Sequence, residues 1–269
     1  VGQDKQFPWE PVLNLARWVT RQDRDIPERD VSEPLIDPDW SWTRKRIASL
    51  LSDGFKSGRA SVDSSLREKC WEVLEPLTDD EEPTRAYEVE QAGSMKPSGL
   101  SLNTVRGQAM HAVVRYALWI RRHAEETEDQ ELSEAGFDEM PEVRRVLDRH
   151  LDVDVEPTLT IRSVYGQWFP WLNQIDPEWA SENVPAIFPR SDRHRVLRNA
   201  AWDTYISMSK PYNDVFDVLR EEYSYAVENA GADDRQGAFH RHPDESLGIH
   251  LVNFYWRGKV DLEEDGLLD

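Results

Sequence analysis

A chain of 269 residues can hold one or two compact units of roughly 150 residues each, or run on as an elongated repeat array. Its 52 acidic residues outnumber 32 basic ones, and the resulting net charge of −20 repels phosphate backbones and anionic headgroups, which disfavours nucleic acid and membrane surfaces as partners. Hydrophobic residues make up 39%, with 11 Trp and 8 Tyr among the aromatics, enough apolar surface to offset the entropy of ordering everything but the loops.

Local basic clusters, Arg44-Lys45-Arg46 and Arg115 through Arg122, read as solvated helix faces. Lys is scarce beside Arg. The single cysteine, Cys70, falls inside an apolar helical pattern and can form neither an internal disulfide nor a thiolate cluster, so a reducing compartment, the cytoplasm, is expected. No apolar run approaches the ~20 residues needed to span a bilayer. The chain starts at Val1 and stops at Gly266-Leu267-Leu268-Asp269, and both ends read as cuts in a larger polypeptide.

Strand signals are almost absent while helix starts recur, which predicts an all-α protein. The first helix is expected over residues 9–20, with Trp9, Val12, Leu13, Ala16 and Val19 on one face. After a Pro- and Asp-rich connection at 23–38, a second begins at a cap between Asp37 and Asp39, carries Trp42, Ile47, Leu50 and Leu51 inward, and stops at Gly54. A third carries Leu66, Cys70, Val73 and Leu74 and ends near Thr78. Residues 79–100 read as an irregular excursion with one helical turn around Tyr87. The most regular segment is 103–123, capped by Asn103, where Val105, Ala109, Ala112, Val113, Tyr116, Ala117 and Ile120 keep helical spacing. Val114, Leu118 and Trp119 add a second apolar side, so neighbours are expected on two sides. An acidic linker at 124–140 leads to a helix opening at Pro141.

The later chain carries an internal repeat. Trp168 and Trp202 are 34 residues apart, as are Pro177 and Pro211, and Leu172 and Ile206 fall in register between them. In each copy a long helix ends at a short turn and Pro opens a second one, giving helices at 161–174, 177–188, 193–209 and 211–228. A two-helix period of that length predicts an α-solenoid of HEAT- or TPR-like hairpins. A regular array at 101–269 would then follow a less regular helical portion at 1–100.

Common enzyme signatures fail: there is no Walker A loop, no Gly-x-Ser-x-Gly elbow and no His-Glu-x-x-His helix. Arg106 and His111, and again Arg145 and His150, repeat the Arg-x(4 to 6)-His spacing of HEPN ribonucleases, in which Arg stabilises phosphate charge and His moves protons. The polar residue that usually follows the Arg is replaced by Gly107 and Val146, and a first-turn Arg with a half-buried His is the better explanation of so short a spacing. Gly107 near a helix start predicts close approach of another backbone, and Arg106 is expected to bond free carbonyls of an adjacent helix. His240, His242 and His250 with Asp244 form a weak metal candidate in a loop-like run, so no metal and no cofactor is expected. The aromatic run Tyr165-Gly166-Gln167-Trp168-Phe169-Pro170-Trp171 suits either core packing or ligand stacking. Tyr165, Trp168, Trp171 and Arg106 are therefore the candidate binding residues.

The runs at 101–119 (Ser101-Leu102-Asn103-Thr104-Val105-Arg106-Gly107, on to Trp119) and 161–172 (Ile161-Arg162-Ser163-Val164-Tyr165-Gly166, on to Leu172) resemble the C-terminal helical regions of large bacterial antiphage-defence proteins. In those, an effector and often a STAND-type NTPase precede a long helical array. The resemblance implies a non-catalytic interaction or sensor module that binds a protein partner, phage-derived or another domain of the same parent chain. The alternatives are a HEPN-like ribonuclease using Arg106 and His111, and a purely structural spacer. Far-ultraviolet circular dichroism tests the class: a strongly helical spectrum is expected, and substantial strand content overturns it.

Overall fold

The computed structural model describes residues 7–24, 39–127, 136–231 and 242–261. Among these the chain is all-helical, with twelve α-helices and no strand. They are α1 (Trp9–Thr20), α2 (Ser41–Gly54), α3 (Arg67–Thr78), α4 (Arg85–Gln91), α5 (Pro97–Asn103), α6 (Val105–Glu126), α7 (Pro141–Leu151), α8 (Leu159–Ile175), α9 (Pro177–Ile187), α10 (Arg195–Met208), α11 (Asn213–Glu228) and α12 (Pro243–Trp256). No helix is long and apolar enough to cross a membrane among the described residues.

The chain divides into two compact units, one of Val1–Met95 with Gly99–His150 and one of Lys96–Ser98 with Leu151–Asp269. In the first, α6 lies against both α2 and α3, the two-sided packing that its doubled apolar face requires. Phe55, Trp71, Tyr116 and Trp119 form its aromatic centre, with ring centroids 5.2 to 5.6 Å apart. The indole N–H groups of Trp9 and Trp119 reach the carbonyls of Ala60 and Val62, at 2.9 and 3.1 Å, which pins the 57–63 loop. At the other end of this unit Asp80, buried, takes both Arg24 (2.9 Å) and Arg44 (3.3 Å).

Three local expectations are corrected here. Trp42 does not face inward: it is 69% exposed, with the Lys45 ammonium 5.9 Å from its ring, while Ile47 and Leu51 make the core contact. Asn103 is not the cap of α6. It ends α5 and bonds the Gly99 carbonyl, and Thr104 takes the extended cap conformation. Residues 79–100 hold α4 and the start of α5, short helices whose few apolar residues give no period to read. Of the cap expected at the start of α2, Asp37 lies outside the described residues, and Asp39 accepts from the Ser41 N–H at 3.1 Å.

In the second unit, α8 packs on α9 and on α10, and α12 on α10 and α11. Trp168 and Trp202, and Leu172 and Ile206, each pair 34 residues apart in the sequence, all lie in the core. The turns at the two prolines differ. Pro177 is the first residue of α9, behind an Asp176 carboxylate that accepts from the Trp179 N–H at 2.9 Å. Pro211 instead stands outside α11, which opens at Asn213 after the extended residue Tyr212.

The tightest crossing is α8 on α10. A Cβ at Gly166 would lie 2.0 Å from the Ala201 carbonyl oxygen, so only glycine lets the two backbones meet. Gly107 is similar, its missing Cβ 2.4 Å from the Ser101 carbonyl oxygen, which is the close backbone approach its place in the sequence predicts. Exposed Gly248 on α12 has nothing within 4 Å and serves as a control. In urea unfolding, Gly166→Ala is expected to lose about 2 kcal/mol or more by overpacking, and Gly248→Ala to gain about 0.5 to 1 kcal/mol by helix propensity. Equal effects at the two positions would refute the crossing.

Candidate functional site

Arg106 and His111 sit on one helix but have different environments. The Arg106 guanidinium donates to the carbonyls of Asp80, Glu81 and Pro83, and its own amide donates to the Glu82 carbonyl at 3.1 Å. It therefore clamps the 80–83 connection that follows α3, rather than a helix. His111 is buried, with Nε2 2.9 Å from the Ser101 hydroxyl, and burial, aided by the Arg115 charge, pushes its pKa down to about 3. An imidazole so held stays neutral and away from solvent, whereas general acid–base work needs a pKa near ambient pH and access to the substrate. In the second Arg-His pair, Arg145 is engaged by Glu75 at 2.7 Å and His150 is buried.

The aromatic run on α8 splits by face. Tyr165 and Trp168 are core residues, and Trp171 is half-buried, its ring edge-on to Trp168 at 5.4 Å. Trp171 forms one wall of a cleft of about 360 Å³ with Pro170 and Gln174 from α8 and Tyr212, Asp214 and Val215 from the start of α11. Tyr212 is 38% exposed. Asp214 accepts only a long bond from the Asn173 amide, 3.4 Å, and forms no ion pair among the described residues. The cleft thus offers two aromatic walls and one unneutralised carboxylate, chemistry suited to a side chain that is apolar along its stem and cationic at its tip. Of the candidate binding residues, Trp171 alone lines it. Tyr212 and Asp214 went unread in the sequence because a helix start after Pro explains the Pro211-Tyr212-Asn213-Asp214 run without any ligand.

Two further cavities are more polar. One of about 690 Å³ in the first unit is lined by Trp9, Arg59, Arg122 and His123 among others. The other, about 540 Å³ between α9 and α11, has Phe188 as an apolar lining residue and Arg190 with Glu221 and Glu222 as charged ones. Glu222 is fully committed: it pairs with Arg190 at 2.8 Å and with Arg198, equally buried, at 3.1 Å, and the Arg198 guanidinium stacks 3.9 Å from the Tyr225 ring.

For the metal candidate, His240 lies outside the described residues. His242 caps α12, its Nδ1 accepting from the Asp244 N–H at 3.2 Å. His250 is part of a buried chain in which the Tyr205 hydroxyl meets the Tyr223 hydroxyl (2.9 Å), Tyr223 meets His250 Nδ1 (2.7 Å), and His250 Nε2 meets the Ser209 carbonyl (3.0 Å). The carbonyl only accepts, so Nε2 carries the proton and Nδ1 accepts from Tyr223. Both nitrogens are therefore taken, and no group of three metal-ligating side chains occurs among the described residues. Burial, opposed by the Ser209 carbonyl and aided by the Arg257 charge, pushes the His250 pKa down to about 4.

These arrangements define an all-helical protein with a small aromatic cleft. No protein family, curated protein or solved structure matches the chain.

The two buried histidines make stability depend on pH. Their folded pKa values lie below the ordinary 6.5, so as pH falls the unfolded chain takes up protons first. Their contribution is complete above about pH 6.5 and is lost as pH falls toward 4 for His250 and 3 for His111. Urea unfolding at about pH 4.5 is expected to show a loss of about 2 kcal/mol from each relative to neutral pH. A His111→Gln variant, keeping a polar group near Ser101, is expected to flatten the slope; an unchanged slope would mean that His111 does not carry it.

Proposed function

We propose that this chain is a helical-repeat interaction module, a HEAT- or TPR-like stack within a larger bacterial defence protein, that binds a protein partner through the cleft between α8 and α11. The observation that carries this reading is the cleft itself: half-buried Trp171 and exposed Tyr212 stand beside Asp214, which forms no ion pair among the described residues, while the other aromatics of the same run are used up in the core. Aromatic anchors on rigid helices are the usual source of affinity in such modules, since little entropy is lost in fixing them. In this reading the two stretches of the 34-residue frame belong to neighbouring repeats, and the cleft walls come from α8 and from the start of α11. The partner is a phage-derived protein or another domain of the parent chain, as the resemblance to defence proteins implies.

The ribonuclease alternative has less support, because the Arg106 guanidinium is occupied by three carbonyls and His111 is buried and neutral. A spacer has no use for an open aromatic cleft.

The test is comparative. A partner that co-purifies with the wild-type chain, identified and then titrated in pure form, is expected to bind the Trp171→Ala/Tyr212→Ala variant at least tenfold more weakly at unchanged helicity. Undiminished binding by that variant sinks the cleft as the site. Cleavage of mixed RNA that disappears in His111→Ala would replace the proposal with the ribonuclease.

A further inference from the structure

Helix α12 is apolar on nearly every side. Leu247, His250, Leu251 and Phe254 are buried, as a helix packed on α10 and α11 requires. On the opposite side Gly248, Ile249, Val252, Tyr255 and Trp256 are exposed, Val252 by 63% and Trp256 by 88%. At 3.6 residues per turn these five positions form one stripe with Val252 at its centre. Scattered exposed apolar side chains are ordinary on a protein surface, but a contiguous stripe of four large ones marks a contact face.

Gly248 adds a second, independent feature. A glycine inside a helix costs up to ~1 kcal/mol against alanine. At Gly166 and Gly107 a backbone stands where the Cβ would be, whereas at Gly248 the same space is empty. The stripe therefore carries a hole at Gly248 and, two turns along, its largest projection at Trp256.

We infer that the stripe is the contact face of a symmetric dimer, in which α12 of two copies pack antiparallel about a twofold axis at Val252. In that arrangement residues equally far before and after Val252 face each other. Trp256 of each copy fills the gap at Gly248 of the other, Ile249 meets Tyr255, and Val252 meets its own counterpart. The two helix dipoles oppose, while Arg257 and Lys259 at the end of the helix are engaged within their own chain, by Pro211 and Asn213 and by Asp217. Hole against projection at equal distances from Val252, with the helix dipoles opposed, makes the face its own complement, as an isologous interface demands, which favours a second copy over an unrelated helix.

One helix face covers less than the ~800 Å² per partner of a stable interface, and a charge of −20 on each copy opposes approach. The dimer is therefore weak and is strengthened by salt, which screens the repulsion. This inference is independent of the α8–α11 cleft.

Sedimentation of the full chain from about 5 to about 500 µM is expected to show reversible dimerisation with a dissociation constant on the order of 100 µM, tighter in high salt. Gly248→Leu fills the hole while favouring the helix, and is expected to weaken association at least tenfold at unchanged helicity. Val252→Cys is expected to form an intermolecular disulfide across the axis on mild oxidation. The native Cys70 does not interfere, being fully buried with its thiol pushed up to about 12. A chain that stays monomeric over the whole range overturns the proposal. So does association that Gly248→Leu leaves unchanged, or association without the Val252→Cys disulfide.

Discussion

Helices that end inside a protein leave carbonyls without donors, and this chain supplies many of those donors from arginine. Arg162, 1% exposed, donates to the carbonyls of Ala186, in the last turn of α9, and of Leu151, at 2.6 and 3.1 Å. In the first unit Arg106 does the same for the connection after α3, and Arg122 reaches the Phe55 carbonyl, where α2 ends, at 3.0 Å. Near α12, Arg220 and Arg257 serve Lys259 and Pro211. A guanidinium fork satisfies two acceptors in fixed directions and stays charged when buried, which an ammonium does not. The preference of this composition for Arg over Lys thus has a structural basis. An unmet buried carbonyl costs about 1 to 3 kcal/mol, so each such arginine holds together more than its own helix.

With its helix ends secured this way, the second unit carries a fully bonded chain of polar aromatic side chains in its interior. The Tyr205, Tyr223 and His250 chain links α10, α11 and α12, and every hydrogen on it has a defined direction. Phe216 and Phe254 pack beside it with centroids 4.2 Å apart. A satisfied buried chain specifies one arrangement of three helices more narrowly than apolar packing alone. The cleft benefits, because Tyr212 and Asp214 stand at the start of the helix whose middle is fixed by Tyr223.

Much of this was readable in the sequence where periodicity was long. The extents of α1 and α7 and the existence of α3 and α6 follow from their apolar spacing, though α6 opens at Val105 and not at an Asn103 cap, and the doubled Trp frame points to α8 through α11. The reading weakened where helices are short, as in α4 and α5. It also missed α12, whose apolar residues lie all round the axis and give no amphipathic stripe. At the candidate site the sequence pointed to an aromatic run but not to which ring stays open. That depends on the neighbour across the gap, and Trp168 and Trp171 differ only in what faces them. Arg106 does hold carbonyls, but those of the 80–83 connection and not those of the adjacent helix that its sequence position suggests.

The glycine at the α8–α10 crossing also constrains how this sequence can drift. Any side chain at Gly166 must push the Ala201 backbone aside, so no single substitution there is neutral unless α10 has already moved. Variation in α8 and in α10 is therefore coupled at this point: a change of side chain on one helix is tolerated only with a matching shift of the other.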